Sequence, residues 1–388
     1  MKFTAEKNAI LEVTLPTSGF ASGKSTIATT EGILFRTTGD GSCDIVAYDL
    51  EKGIKTSLEC TVEEEGCAVI NATRFIQIVR TMPDGQITVA VDERNNRTMI
   101  SSGNAKFELQ ALSGKDFPDL PELRGDRGFT IKHCDLKNLI AKTQFAIAVN
   151  NPRPELNGLD LDVKGNRITA VSCDGNRLAV YGMDCEIENV GVTAELNFNI
   201  ILPGKTVTEL MRFVNDSEEL MKINVARKHI MFFIGKFIVF TRLIDAVYVD
   251  YVRFIPKAPK IFATVGTKEL EGALGRALLV TEERQQGQVK SPVICDITDG
   301  CMTVSSSSVT GRVNDEITVK HEGENIILHR DLEIGFNCRL LHDAVSVCDS
   351  ESVKISLTSP LMGMTIEPAE KEEGKKFLML VLPVRLNK

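Results

Sequence analysis

Nowhere in these 388 residues does an apolar run approach the ~20 residues that a membrane-crossing helix needs. The opening MKFTAEKNAI lacks the cationic and long apolar blocks of a secretory signal, so a cytoplasmic protein with no membrane partner is expected. Ten cysteines are scattered from Cys43 to Cys348 without a CxxC pair, and they read as buried thiols of a reducing compartment. The five histidines, His133, His229, His321, His329 and His342, show no HxxxH or HExxH spacing and no cysteine partners at zinc-site spacing. Carboxylates occur as surface runs such as Glu63-Glu64-Glu65, and no Ser-His-Asp or nucleophile-elbow signature is present. A non-catalytic protein without cofactor or metal is expected.

One stretch imitates a nucleotide site. Gly19-Phe20-Ala21-Ser22-Gly23-Lys24-Ser25-Thr26 has Gly-x3-Gly-Lys-Ser spacing, one residue short of a phosphate-binding loop, and no strong apolar strand precedes it. The preferred reading is a loop whose Lys24 reaches DNA; the alternative from another class is a nucleotide-binding enzyme built on Gly19 to Thr26.

What is present is ordinary for a globular protein: 43% hydrophobic and 25% charged residues, in a chain long enough for two or three domains. The formal net charge of −8 argues against a surface coated for nonspecific nucleic-acid binding, and confines any DNA contact to one face.

Periodicity divides the chain. In Pro203 to Asn215, the residues Val207, Leu210, Met211 and Val214 fall on one helical stripe, with Pro203 at the start. Similar stripes follow Asn71 (Phe75, Val79) and Asn337 (Cys338, Leu341, Val345), both Asn residues being good N-caps. A second set of helices is predicted near Thr4, Asp135 and Thr267. Both sets repeat at about 130 residues, with strand signals between them at Gln86 to Asp92, Arg167 to Ser172, Ile230 to Thr241 and Lys354 to Leu357. Turns are signalled at Asp84-Gly85, Asp174-Gly175 and Asp299-Gly300. The spacing predicts an α+β unit used three times, as domains 1–125, 126–255 and 256–388, since a solenoid repeat is only ~20–50 residues long.

The outward faces of three of these helices carry cations: Arg74 with Gln77 and Thr81, Lys205 with Thr208 and Arg212, and Arg339 with His342 and Ser346. Solvated amphipathic faces would look the same. Repetition in an acidic chain favours a shared surface that binds phosphates without reading sequence.

Val247 to Lys257 (VYVDYVRFIPK) gathers Tyr248, Tyr251, Phe254 and Ile255 beside Arg253 before Pro256 ends any regular element, and reads as a packed joint. Phe117 to Pro121 (FPDLP) and Phe377 to Leu386 (FLMLVLPVRL) are its counterparts in the other thirds.

These segments, with Cys173 to Ala179 (CDGNRLA), Thr241 to Asp245 (TRLID) and Gly335-Phe336-Asn337, resemble the beta subunit of bacterial DNA polymerase III, the sliding clamps, over the whole chain. The resemblance implies three tandem clamp domains, each with two helices and antiparallel sheets, and two chains joined head to tail in a ring around duplex DNA. It implies sequence-independent DNA contacts at Lys24, Arg74, Asn150, Arg153 and Lys205. A client-peptide groove is implied at Leu156, Cys173, Gly175, Asn176, Arg177, Leu178, Arg253, Phe254, Asn337, Leu340, Leu380, Leu382, Pro383, Val384 and Arg385. Phe107 and Leu109 of one subunit would meet Leu279 and Val280 of the other, although all four also suit a core. The implied clients carry short motifs of the Gln-x-x-Leu-Phe kind: the replicative polymerase alpha subunit, the clamp-loader delta subunit, repair polymerases and mismatch-repair proteins.

The chain departs from the family pattern at Val249 (usually Pro), Cys173 (usually Thr), Asn176 (often His) and Leu340 (aromatic in some members). Pro154 and Glu155 replace residues that can touch DNA. A divergent clamp paralogue serving repair or a mobile element is therefore the alternative within the binding class.

Overall fold

A computed structural model describes all residues except 123, 124, 126, 191–195, 282–290, 299, 309, 310, 324–333, 360 and 386–388. Asp299, His329 and Leu386 of the readings above lie outside the described residues.

Six helices are described: α1 (Lys7–Thr17), α2 (Ala72–Thr81), α3 (His133–Ala141), α4 (Gly204–Leu210), α5 (Thr267–Thr281) and α6 (Cys338–Ser346). Where a helix start is encoded by a cap, sequence and structure coincide. The Asn71 side-chain oxygen accepts the Arg74 N–H at 3.1 Å, and that of Asn337 accepts the N–H groups of Arg339 and Leu340 at 3.1 and 3.4 Å. Phe75 and Val79 are buried beneath α2, and Cys338, Leu341 and Val345 beneath α6.

Elsewhere tertiary contacts override local signals. Thr4 does not open α1: it lies in the strand Lys2–Glu6, opposite Thr88 of Gln86–Asp92, with the two hydroxyls 2.8 Å apart. Pro203 closes the strand Asn197–Pro203, and α4 starts at the next residue, Gly204, where the sequence places a helix start. That helix stops at Leu210, and Met211 is only half-buried. The chain turns here because the Phe213 ring is held edge-on by Phe20 and Phe237, at 6.1 and 5.3 Å between centroids. Ile230 to Thr241, read as one run, is a hairpin of His229–Ile234 and Phe237–Arg242, reversed at Gly235 (φ +53°).

The chain packs as two units, one of Met1–Cys134, Ile187–Ala194 and Thr208–Leu243, the other of Asp135–Glu186, Glu195–Val207 and Ile244–Lys388. The first contains five- and ten-stranded antiparallel sheets, the second a thirteen-stranded one. Sheets run through the junctions between thirds. In the first unit, Phe237–Arg242 pairs with Lys52–Glu59, and Gly53 faces Phe240 so closely that a Cβ there would lie 2.3 Å from the ring. In the second unit, Arg177–Asp184 pairs with Lys375–Val381, from Arg177 opposite Val381 to Met183 opposite Lys375. The central third thus contributes strands to both units.

Each unit has an apolar cluster at such a junction. Phe117 packs with Leu34, Val46, Val69, Met231 and Phe240 in the first. In the second, Leu156, Val171, Cys173, Leu178, Val180 and Leu380 form a floor, and Tyr248, Val249, Tyr251 and Ile255 pack on it. The Val247 to Lys257 joint is therefore half core and half surface: Val247, Val252 and Phe254 are exposed.

Candidate peptide groove and nucleic-acid-facing residues

The groove is built on the turn between the strands Arg167–Cys173 and Arg177–Asp184. Asp174 Oδ1 accepts the N–H groups of Asn176 and Arg177 at 2.8 and 3.0 Å, and Gly175 adopts φ +94°, which a side chain would strain. The Leu382 N–H then donates to the Asn176 carbonyl at 2.8 Å. This bond carries the last strand past the turn.

Leu380 and Val381 complete the sheet and are buried. At Leu382 the chain leaves that ladder, and Pro383 and Val384 pair with Phe336 and Gly335. The jog exposes Leu382 (40%), with Val384 and Arg385 also outward. Phe254 is 50% exposed on the 3-10 turn Tyr251–Phe254, where Arg253 Nε is 2.7 Å from Asp250 Oδ2. Asn337 caps α6 and Leu340, one turn on, is half-buried. The implied groove residues thus divide into a buried apolar cluster and the exposed apolar side chains Phe254, Leu382 and Val384, a combination that suits an extended apolar peptide.

Burial raises the Cys173 thiol above its ordinary value and pushes the Tyr248 phenol well above the usual range. Both stay neutral, and Cys173 is a small apolar floor residue, not a nucleophile.

Reasoning from motifs overlooked Val171, Val180 and Gly363. The first two follow from period-two alternation with Cys173 and Leu178. Gly363 has no local signal: a Cβ there would stand 2.9 Å from Leu380 Cδ1 and 3.1 Å from Leu382 Cδ2.

The DNA-contact candidates are exposed side chains. Lys24 and Arg74 lie in the first unit, and Asn150, Arg153 and Lys205 in the second. None of the four cations forms an ion pair among the described residues, whereas Arg212 is held 2.8 Å from Glu209. Asn150 turns at φ +54°, and its loop is stapled by Asn157, which accepts the Asn151 N–H at 2.7 Å and donates to the Asn151 carbonyl at 2.8 Å. The Gly19 to Thr26 loop follows α1, not a strand, and the Ser25 N–H donates to Glu31 at 2.9 Å. That bond places a carboxylate where a phosphate would be needed.

Phe107 and Leu109 lie on Ala105–Gln110, the last strand of the five-stranded sheet, and Phe107 is 41% exposed. Leu279 on α5 is 76% exposed and Val280 half-buried. Phe107 and Leu279 are thus not core residues of the single chain. Among the described residues no group of His, Cys, Asp and Glu could hold a metal ion, and no helix is long and apolar enough to cross a membrane.

Family models for the N-terminal, central and C-terminal domains of the DNA polymerase III beta subunit match residues 1–121, 130–250 and 252–384. The chain is 31% identical over 369 residues to a beta sliding clamp of Halalkalibacterium halodurans, covering 94% of this chain and 91% of that one. It is 29% identical over 388 residues to that of Salmonella typhimurium, covering 100% of each. The crystal structure of the DNA polymerase sliding clamp from Bacillus subtilis matches with a TM-score of 0.87 and 26% identity, over 100% of both chains.

Proposed function

The chain belongs to the DNA polymerase III beta subunit family, and from that premise we propose how its surfaces serve a sliding clamp that keeps a polymerase on DNA. Two copies join head to tail into a closed ring of six domains, divided in each chain at 1–125, 126–255 and 256–388. A heterologous contact closes into a ring only if its rotation allows, and the exposed Phe107 and Leu279 are the apolar surfaces offered to it.

The ring acts without catalysis or cofactor, in the cytoplasm. Lys24, Arg74, Asn150, Arg153 and Lys205 touch the phosphate backbone, and topology supplies the retention that weak contacts do not. Binding to linear duplex is accordingly weak and salt-sensitive. The groove takes one client at a time through a Gln-x-x-Leu-Phe type segment. Its clients include the replicative polymerase alpha subunit, the loader delta subunit, repair polymerases and mismatch-repair proteins.

The observation that carries this reading is the exposed Leu382 above a fully apolar floor. Fluorescence polarisation of a labelled Gln-x-x-Leu-Phe peptide tests it: saturable binding to the wild type, lost in Leu382→Asp, is expected. An unaffected Leu382→Asp would remove the groove from the reading. Light scattering of Leu279→Asp tests the ring: a folded monomer is expected, and an unchanged dimer mass would contradict the interface.

A further inference from the structure

Arg177 is a groove candidate by position, yet its charge is already committed. Its side chain is 11% exposed; Nε donates to Asp174 Oδ2 at 3.0 Å and Nη1 to Asp343 Oδ2 at 2.8 Å. Its guanidinium also lies 5.2 Å from the centre of the Phe145 ring. A planar guanidinium can serve two carboxylates in different directions at once, which an ammonium cannot do as rigidly. Two of its five N–H donors are engaged, its charge faces two carboxylates, and the guanidinium lies against an aromatic ring, so the charge is balanced within the chain.

The three elements joined by this side chain are the ones that must be spaced correctly for a peptide. Asp174 belongs to the turn whose Asn176 carbonyl holds Leu382, Arg177 opens the strand that carries Leu178 in the floor, and Asp343 lies on α6, which presents Leu340. We propose, building on the groove reading above, that Asp343 is a positioning residue: through Arg177 it sets the width of the groove between α6 and the Leu178–Leu380 floor, and Arg177 is a strut, not a contact for client charge. Removing the Asp343 charge leaves a largely buried cation with one carboxylate partner and frees α6 from the turn.

The test is a double-mutant cycle read by fluorescence polarisation with two labelled peptides, a neutral Gln-x-x-Leu-Phe segment and the same segment with an added flanking Glu. For a strut, Asp343→Asn and Arg177→Gln each weaken both peptides about equally, by roughly tenfold, and the double variant is no weaker than either single one. Overturning results are wild-type affinity in Asp343→Asn, a loss in Arg177→Gln confined to the Glu-bearing peptide, or losses that add. Asp343→Asn is decisive alone if Arg177→Gln fails to fold.

Amide hydrogen exchange of free wild type and Asp343→Asn separates this proposal from the groove reading. Faster exchange at residues 176–178 and 340–344 in the variant is expected even if the wild type binds neither peptide, a result that would defeat the groove alone. Unchanged exchange at both segments overturns the strut.

Discussion

Arg177 and Arg74 show two ways of holding a cation. The first is pinned between Asp174 and Asp343 beneath the groove; the second stands on α2 with no ion pair among the described residues. Where a cation is pinned, its side-chain entropy is lost during folding, and a ligand of the proposed groove would meet a surface already in place. A cation that keeps its rotamers binds any phosphate briefly and releases it at little cost, which is what sliding requires. A pinned cation and an unpaired one are built from the same residue type, and the surrounding carboxylates make the difference.

The contrast is broken most severely inside the groove itself. Leu380→Ala, at the buried floor, should lower stability by about 2–5 kcal/mol in chemical denaturation. Leu382→Ala, exposed above it, should leave the midpoint unchanged and weaken peptide binding.

Asp160 supplies a carboxyl that, unlike Asp343, forms no ion pair among the described residues. It is buried with Oδ1 unpartnered, and burial pushes its pKa up to about 7. Because the folded form holds its proton more tightly than the unfolded form, stability is greatest below about pH 4 from this group and falls as pH rises to about 7. Melting temperature against pH should show this fall, on the order of 4 kcal/mol at most, and Asp160→Asn should flatten it.

Smaller effects separate the capped helices. Asn71→Ala and Asn337→Ala should each cost about 1 kcal/mol in thermal unfolding, but only Asn337→Ala should also change peptide affinity. Least visible in stability are Lys24→Ala, Arg74→Ala and Lys205→Ala, expected within about 0.5 kcal/mol of wild type. Their effect belongs in duplex binding, where each lost phosphate contact lowers the salt slope by about 0.9. An unchanged slope in the triple variant would detach these cations from DNA.

The elements that were legible in the sequence are those whose information is local. Asn71 and Asn337 announce α2 and α6 because a cap and a buried stripe lie within one short segment, and Gln86–Asp92 alternates cleanly as a half-buried strand. Thr4 misled because a hydroxyl suited to a cap also suits a strand, and only pairing with Thr88 decides between them. Groove candidates such as Leu178, Leu382 and Asn337 were named through the chain's resemblance to the clamp family; Gly363 carries no mark until Leu380 and Leu382 stand against it.

Hydrophobic periodicity, caps and the repeat at about 130 residues by themselves determined α2, α6, strands such as Gln86–Asp92 and the threefold plan, since each depends on a local pattern and its recurrence. Tertiary structure alone decided that Arg177 is held between two carboxylates while Arg74 forms no ion pair among the described residues. The partner that binds Arg177 stands 166 residues away, and only the folded sheet, with the last strand laid beside Arg177–Asp184, brings α6 within reach of it.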